Sequence, residues 1–130
     1  MKIFIDALGI RPTQTGLSRY SFHLLESLIK IEPSIELTVL LHSSMKENSA
    51  INKMLDNKRS GLFVDLPVIG PKRDFYFVRN LNRLIAKHDA FHCFSSYLPH
   101  LSPRTVNIVT IHDLKYLYVN DFMKNKLKSF

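Results

Sequence analysis

Residues 106–114 read Val-Asn-Ile-Val-Thr-Ile-His-Asp-Leu, an apolar, β-branched run that stops at a His-Asp pair. A continuous run of this kind is typical of a strand buried on both faces, as in a parallel sheet. Polar side chains that follow such a strand lie at its carboxyl end, where open α/β sheets bind their ligands. His112 is therefore the first candidate for chemistry in this chain.

Around this run the sequence alternates between strand and helix patterns. Strands are predicted over residues 2–7, 35–42, 61–66, 90–94 and 105–111, and helices over residues 17–31, 45–57, 72–88 and 121–130. This alternation predicts an α/β domain of three layers, Rossmann-like, with a mostly parallel sheet between helices. We expect residues 3–6, 37–41 and 106–111 to form neighbouring or near-neighbouring strands.

The composition restricts the class of protein. A chain of 130 residues is expected to form one domain, and 45% hydrophobic residues are enough for a core. The lone Cys93 provides no disulfide framework and no cysteine-rich metal site, which fits a reducing compartment. Neither a signal peptide nor a membrane span is recognisable, so a cytoplasmic location is expected.

The net charge of +7 favours polyanionic partners: nucleic acid, an anionic bilayer surface, or phosphorylated substrates. One stripe of the helix predicted over 72–88 carries Lys72, Tyr76, Arg79, Arg83 and Lys87. Such a stripe is usually a solvated face. Because aromatic residues crowd its first turn, binding to an anionic membrane surface is a serious alternative. Nucleic acid is not expected as a partner, since no fold signature for it accompanies the charge.

Gly16 lies where the first strand leads into the first helix. A glycine there can let the backbone approach a phosphate at the helix N-terminus. An ordinary turn glycine is equally consistent with the sequence, because no nucleotide-binding fingerprint is present. Arg19, in the first turn of that helix, could reach an anion in the same crevice. Tyr20 repeats with the apolar positions and is expected in the core.

The ordinary interpretation of His112 and Asp113 is that they cap a helix or turn that follows the strand. In the functional reading, His112 hydrogen-bonds a phosphate or a sugar hydroxyl in the cleft. Gly16 and His112 both follow carboxyl ends of parallel strands, so we expect them at the same edge of the sheet. His92, at the end of the preceding strand, is expected to line the cleft or to be structural. No metal site is expected, because no second ligand stands at a suitable spacing.

Three motifs together resemble family-4 glycosyltransferases. Residues 2–7 (KIFIDA) and 15–20 (TGLSRY) are similar to the opening strand and the T-G-I-x-R-Y turn of these enzymes. Residues 89–92 (DAFH), with the loop to Pro99, resemble their D-V-x-H strand. Residues 109–114 (VTIHDL) resemble their V-x-T-I-H-D-L motif. The motifs occur in the family's order and cover most of the chain.

The resemblance implies one half of a GT-B fold, in which two Rossmann-like domains face each other across a cleft. Residues 1–130 would form the N-terminal, acceptor-side domain, with the C-terminal donor-binding domain absent and little activity expected from this chain alone. The implied reaction is retaining transfer of a hexose from a nucleotide sugar to a cell-envelope glycan or a lipid-linked acceptor. No cofactor and no metal are implied, since helix termini and basic side chains offset the charge of the leaving group.

The resemblance also implies roles for particular residues. The backbone of Gly16 would lie near the donor diphosphate, and His112, the expected catalytic residue, would contact the transferred sugar or its phosphate. Asp113 would order the loop after the strand, and Arg19 is a candidate for substrate binding. A separate polypeptide could supply the second domain.

Two other functions remain open at this stage. The chain could be a non-catalytic binding or interaction domain that keeps the fold, or an unrelated flavodoxin-like module. A neighbouring reading frame that encodes a second Rossmann-like domain would favour the enzyme.

Overall fold

The computed structural model describes residues 1–13, 15–95 and 103–112. Within them, five parallel strands form one sheet in the order β3-β2-β1-β4-β5. The strands are β1 (Lys2–Asp6), β2 (Glu36–His42), β3 (Arg59–Val64), β4 (Ala90–Cys93) and β5 (Val106–Val109). Helices flank the sheet, so the predicted α/β, Rossmann-like architecture is confirmed. The helix predicted over 121–130 lies outside the described residues.

The central strand β1 sorts its side chains between the two faces of the sheet. Ile3 and Ile5 join the core on one face, whereas Phe4 joins the core on the other. Successive residues of a strand point to opposite faces, so Asp6 faces the same side as Phe4. This alternation delivers one buried carboxylate to the second face, at the carboxyl end of the strand.

Two helices cover the first face: α1 (Gly16–Ile31) and the short α2 (Ser49–Met54). Thr15 caps α1, because its Oγ1 accepts a hydrogen bond from the Ser18 N–H at 3.3 Å. The helix ends two residues before Pro33, which cannot continue it. Leu25 and Ile51 bring the two helices onto the core of this face.

The helix expected over 45–57 begins later than the sequence suggested. Residues Ser43–Met45 form a 3₁₀ turn instead, because the His42 ring Nδ1 accepts the Ser44 N–H at 3.1 Å. Asn48 caps α2, with its Oδ1 accepting the N–H groups of Ala50 and Ile51 at 3.1 Å each. Ser43 and Ser44, which the sequence also offers as caps before this helix, lie in the 3₁₀ turn and do not cap α2.

One continuous helical segment covers the second face. It consists of α3 (Pro71–Tyr76), a π-helical stretch (Phe77–Leu81) and α4 (Asn82–Ile85), and we call it the α3–α4 helix. Its buried side chains follow a spacing of four, at Arg73, Phe77, Leu81 and Ile85. In an ordinary α-helix, residues four positions apart are offset by about 40° around the axis, so such a row gradually leaves one face. The wider π turn helps keep these four side chains on the same face.

The buried face of this helix differs from the one that its apolar spacing predicts. Apolar residues at 75, 78, 81, 84 and 85 predict that Phe75 and Val78 point inward, but they are 64% and 52% exposed. The expectation assumed a regular α-helical period, which the π-helical stretch breaks. Phe77 is fully buried instead, and its ring lies 6.0 Å from that of Phe91 in β4.

The strand β5 also differs from its expected environment. It pairs only with β4 among the described strands, and Val106 and Ile108 are 65% and 40% exposed. The prediction that residues 106–111 are buried on both faces was therefore wrong. A β-branched run is equally compatible with an edge strand that has one face exposed to solvent. The predicted near-neighbour relation to β1 is confirmed, since only β4 intervenes.

We predict that Phe77→Ala lowers the free energy of unfolding by about 3–4 kcal/mol, because it removes a fully buried ring from the second core. Phe75→Ala, two positions away in the same helix, should change it by less than about 0.5 kcal/mol. Urea unfolding followed by circular dichroism measures both. Equal losses for the two variants would contradict the π-helical arrangement.

Candidate functional site at the carboxyl edge of the sheet

The carboxyl ends of β1 and β4 lie side by side, with Asp6 paired in register with Cys93. The chain continues from β1 to β2 on one side of this point, while β4 and β5 lie on the other. Loops diverge where strand order reverses, and open α/β sheets bind ligands in the crevice so formed. This edge is the candidate functional site.

Asp6 and Arg73 form a buried ion pair beneath the crevice. The Arg73 Nη2 donates to Asp6 Oδ2, and both residues are almost completely buried, at 0% and 3% exposure. Asp6 Oδ1 also accepts the Leu8 N–H at 3.2 Å, and the Arg73 guanidinium lies 4.9 Å from the centre of the Phe77 ring. Burial raises the pKa of Asp6, while Arg73 acts in the opposite direction. The pair ties the loop after β1 to the α3–α4 helix.

Cys93 extends this pair toward the loop after β4. Its Sγ lies 3.6 Å from Asp6 Oδ2, 3.4 Å from Arg73 Nη2 and 3.1 Å from Ser95 Oγ. Burial raises the pKa of the thiol to about 11, so it stays protonated near neutral pH. A buried, protonated thiol is a poor nucleophile. Cys93 therefore holds structure at the strand end rather than doing chemistry.

His112 lies at the same edge, three residues beyond the end of β5. Its Nε2 is 2.5 Å from the Phe94 carbonyl oxygen, and its ring meets the Tyr20 ring edge-on at 4.7 Å. A carbonyl only accepts, so Nε2 carries the hydrogen. The residue is exposed. His112 is thus oriented by the loop after β4 and by α1.

Gly16 is the first residue of α1, and Tyr20 follows it by about one helical turn. The contact between Tyr20 and His112 therefore brings His112 to the start of this helix, as the topology predicted. A side chain at Gly16 would meet nothing within 4 Å, so open space lies in front of its Cα. Tyr20 itself is 43% exposed, and its predicted core position was wrong because its ring contacts His112 at the edge.

Arg19 is exposed in the first turn of α1 and lines a cavity of about 400 Å³. The loop after β1 forms another wall. The Arg11 N–H donates to Ser18 Oγ, and that hydroxyl donates to the Arg11 carbonyl, each at 3.0 Å. Arg11 Nη2 also donates to the Leu66 carbonyl at 3.1 Å. These bonds hold the loop against α1.

His92, in strand β4, is half-buried. Its Nε2 lies 3.1 Å from Thr110 Oγ1, and its ring meets Phe94 edge-on at 4.8 Å. Burial lowers the pKa of His92, which favours the neutral ring. These contacts connect β4 to the segment that leads into His112. They fit the structural reading of His92.

The predicted basic stripe is only partly reproduced. The cations are exposed, at Lys72, Arg79, Arg83 and Lys87. Tyr76, by contrast, packs against the core of the second face. The exposed rings and methyl groups come from other residues: Phe75, with Arg79 above its ring at 5.8 Å, and Val78.

Asp113 and its expected role lie outside the described residues. Within residues 1–13, 15–95 and 103–112, no cluster of His, Cys, Asp and Glu is suited to hold a metal ion. The sequence analysis missed Asp6 and Arg73 as a pair. The available signal was the period of two that places Asp6 with Phe4, and the period of four that places Arg73 with Phe77.

Comparisons of the chain with protein-family models, with curated proteins and with solved structures found no match.

We predict unequal effects from breaking the buried pair. Asp6→Asn should cost about 3–5 kcal/mol of unfolding free energy near neutral pH, because Arg73 stays protonated and loses the carboxylate that faces it. In Arg73→Met, the carboxyl of Asp6 can instead bind a proton, and its already raised pKa rises further. The folded state then holds the proton more tightly than the unfolded state, so stability falls as pH rises above the ordinary value of 3.8.

Urea unfolding over a pH series measures both variants, with the exposed Asp65→Asn as the matched control. An Arg73→Met variant that gains stability as pH rises would contradict the arrangement, as would an Asp6→Asn variant as stable as wild type.

Proposed function

We propose that this chain is the acceptor-side domain of a retaining GT-B glycosyltransferase of the family-4 type. The complete enzyme would transfer a hexose from a nucleotide sugar to a cell-envelope glycan or a lipid-linked acceptor. The three motifs described above carry the family resemblance, and two of them meet at one place in the fold. That juxtaposition, His112 of VTIHDL against Tyr20 of TGLSRY, is the observation on which the proposal rests.

The surroundings of Gly16 support a role beside a diphosphate. Gly16 and Leu17 occupy the first turn of α1, where backbone N–H groups have no partner within the helix. The helix dipole favours negative charge at this end. Because the space in front of Gly16 is open, a phosphate could approach the backbone without displacing protein atoms. The donor's leaving group would be stabilised here by the backbone, without a metal.

His112 is suited to contact the transferred sugar. The Phe94 carbonyl fixes the proton on Nε2, and the Tyr20 ring limits rotation of the imidazole. A side chain held by two neighbours loses little conformational freedom when a substrate binds, so its hydrogen bond is preorganised. The other domain of a GT-B enzyme would supply the nucleotide pocket, either from the same polypeptide or from a partner.

We predict that His112→Ala lowers hexose transfer by about a hundredfold while the melting temperature changes little. The side chain is exposed, so its loss removes little buried apolar surface. Transfer is measured with radiolabelled nucleotide hexoses and an envelope lipid extract, using the chain together with the product of a neighbouring reading frame. Robust transfer by the 130-residue chain alone would contradict its assignment as one half of the site.

A second variant, Gly16→Val, tests the same site. Its added side chain meets no protein atom, so the fold should be retained while the approach of a phosphate is blocked. Lys58→Gln, at an exposed position just before β3 and so at the amino-terminal edge of the sheet, is the control. If Gly16→Val and His112→Ala both transfer sugar at the wild-type rate, the proposal is wrong.

We further propose that the α3–α4 helix binds an anionic membrane surface. Within the described residues, no helix has the length and apolar character needed to span a bilayer. Phe75 and Val78, both more than half exposed, stand beside Arg79 and Arg83. Exposed apolar side chains among cations are typical of helices that lie in the interface of a membrane. Such contact would bring the domain to a lipid-linked acceptor.

Each basic residue near an anionic surface contributes about 1 kcal/mol, so Arg79→Glu/Arg83→Glu should weaken binding by at least about tenfold. Co-sedimentation with phosphatidylglycerol vesicles measures the loss. Lys46→Glu/Lys53→Glu makes the same change of charge on the first face and should retain most binding. Binding that ignores both lipid charge and the arginine pair would refute membrane attachment through this helix.

A further inference from the structure

A cavity of about 400 Å³ opens beside the first turns of α1. Three segments enclose it: the loop after β1, the first two turns of α1, and the stretch from the 3₁₀ turn into α2. Its volume lies within the range of small-molecule sites and is large enough for a monosaccharide. Of the expected site residues that the structure describes, Arg19 alone lines it.

The lining of this cavity is positively charged. Arg11 and Arg19 are among the described lining residues, and no carboxylate is. Two carboxylates lie outside the lining. Asp65 lies 3.0 Å from His42 Nε2, and Glu26 lies 3.3 Å from Lys30 Nζ. Burial lowers the pKa of Arg11, while the charge of Asp65 acts in the opposite direction. The cavity therefore has an excess of positive charge that suits an anionic ligand.

The two arginines differ in how they are held. Arg11 is anchored by its bond to the Leu66 carbonyl, which fixes the plane of the guanidinium. Arg19 is exposed and forms no ion pair with any residue in the described part of the chain. One anchored and one adjustable guanidinium can both donate to the oxygens of a carboxylate or a phosphate.

The remaining walls suit a sugar ring. Phe22 presents an aromatic surface and Met45 an apolar floor, against which the C–H face of a pyranose can pack. Asn48 uses its Oδ1 to cap α2, which leaves its Nδ2 as a donor for a hydroxyl group. The anionic group, the apolar face and a hydroxyl group of one sugar would thus each have a different partner in this cavity.

We infer that this cavity binds an acidic sugar, a pyranose that carries a carboxylate or a phosphate, and that this sugar belongs to the acceptor. The second half of this inference rests on the proposed function. Arg19 and Tyr20 lie in the same turn of α1 and point about 100° apart around its axis, so an acceptor held at Arg19 would extend around the helix to reach the residue that contacts His112. The anionic group would be a specificity determinant remote from the reacting hydroxyl.

Titration of the full chain, followed by calorimetry and by amide chemical shifts, tests the inference with four probes. Methyl glucuronide and glucose 6-phosphate represent the two anions, methyl glucoside the neutral sugar, and inorganic phosphate the anion without a sugar. We expect at least one anionic sugar to bind about tenfold or more tightly than methyl glucoside, because charge-assisted bonds to arginine are lost in the neutral probe. The stronger anionic probe identifies the group.

Shift changes should be confined to the cavity, at Arg19, Phe22 and Asn48. Equal affinity for neutral and anionic sugars would overturn the inference. Inorganic phosphate that binds as tightly as the best sugar would also overturn it, since the sugar ring would then contribute nothing.

A pair of matched variants separates the cavity from general electrostatics. Arg19→Gln, at an exposed helical position, should lower affinity for the best anionic sugar by about tenfold and leave the fold intact. Lys58→Gln removes the same charge at an exposed position just before β3, outside the cavity, and should have no effect. Ala50→Phe, which narrows the cavity from an exposed position of α2, should also reduce binding. Equal losses from Arg19→Gln and Lys58→Gln would refute the site.

The result also separates this inference from the proposed function. Acidic sugars that bind through Arg19, with no transfer in any reconstituted assay, would support the binding site and count against the glycosyltransferase. Transfer that depends on His112 but prefers neutral acceptors, and is insensitive to Arg19→Gln, would support the glycosyltransferase and count against the binding site.

Discussion

The buried pair of Asp6 and Arg73 is the constraint on which the edge of the sheet depends. A guanidinium that is completely buried needs an anion, and the last residue of β1 supplies it. Once the pair forms, the loop after β1, the α3–α4 helix and the end of β4 have fixed relative positions. Ser95 and Cys93 then fix the start of the loop after β4, whose Phe94 carbonyl in turn orients His112. Charge burial thus organises residues that do not themselves carry charge.

Much of the fold followed from the sequence because strands and helices are specified locally. The alternation of β-branched runs with helical patterns predicted the parallel sheet, and the topology of parallel strands predicted that His112 would lie near the start of α1. Two of the errors in burial, in β5 and in the α3–α4 helix, have a physical cause. A β-branched run does not reveal whether its strand has two neighbours or one, so the exposure of Val106 could not be predicted from the sequence. A helical period of 3.6 was assumed where a π-helical stretch changes it, so Phe75 was assigned to the core in place of Phe77.

The candidate site could be predicted only in part, because its polar partners are distant in sequence. Asp6 and Arg73 are separated by 67 positions, and neither lies in a sequence pattern that indicates a buried charge. Arg73 stands among exposed cations of the same helix and differs from them only by its spacing from Phe77. The cavity at Arg19 is likewise a product of three segments that meet in space. Such features become visible only when the helices are placed on the sheet.

The π-helical stretch Phe77–Leu81 has a consequence for how this helix tolerates insertions and deletions. A helix with one residue more than the α-helical pattern requires can lose that residue and relax to regular geometry. Arg73 and Ile85 are 12 positions apart, which in a regular α-helix would place them about 120° apart around the axis, whereas 11 positions give only about 20°. Loss of one exposed residue from the stretch would therefore leave Arg73 facing Asp6. Conversion of the stretch to a regular α-helix without such a loss would instead turn Arg73 away and leave a carboxylate alone in the core. The π-helical turn thus makes the buried pair at the carboxyl end of β1 tolerant of a single-codon deletion in this helix.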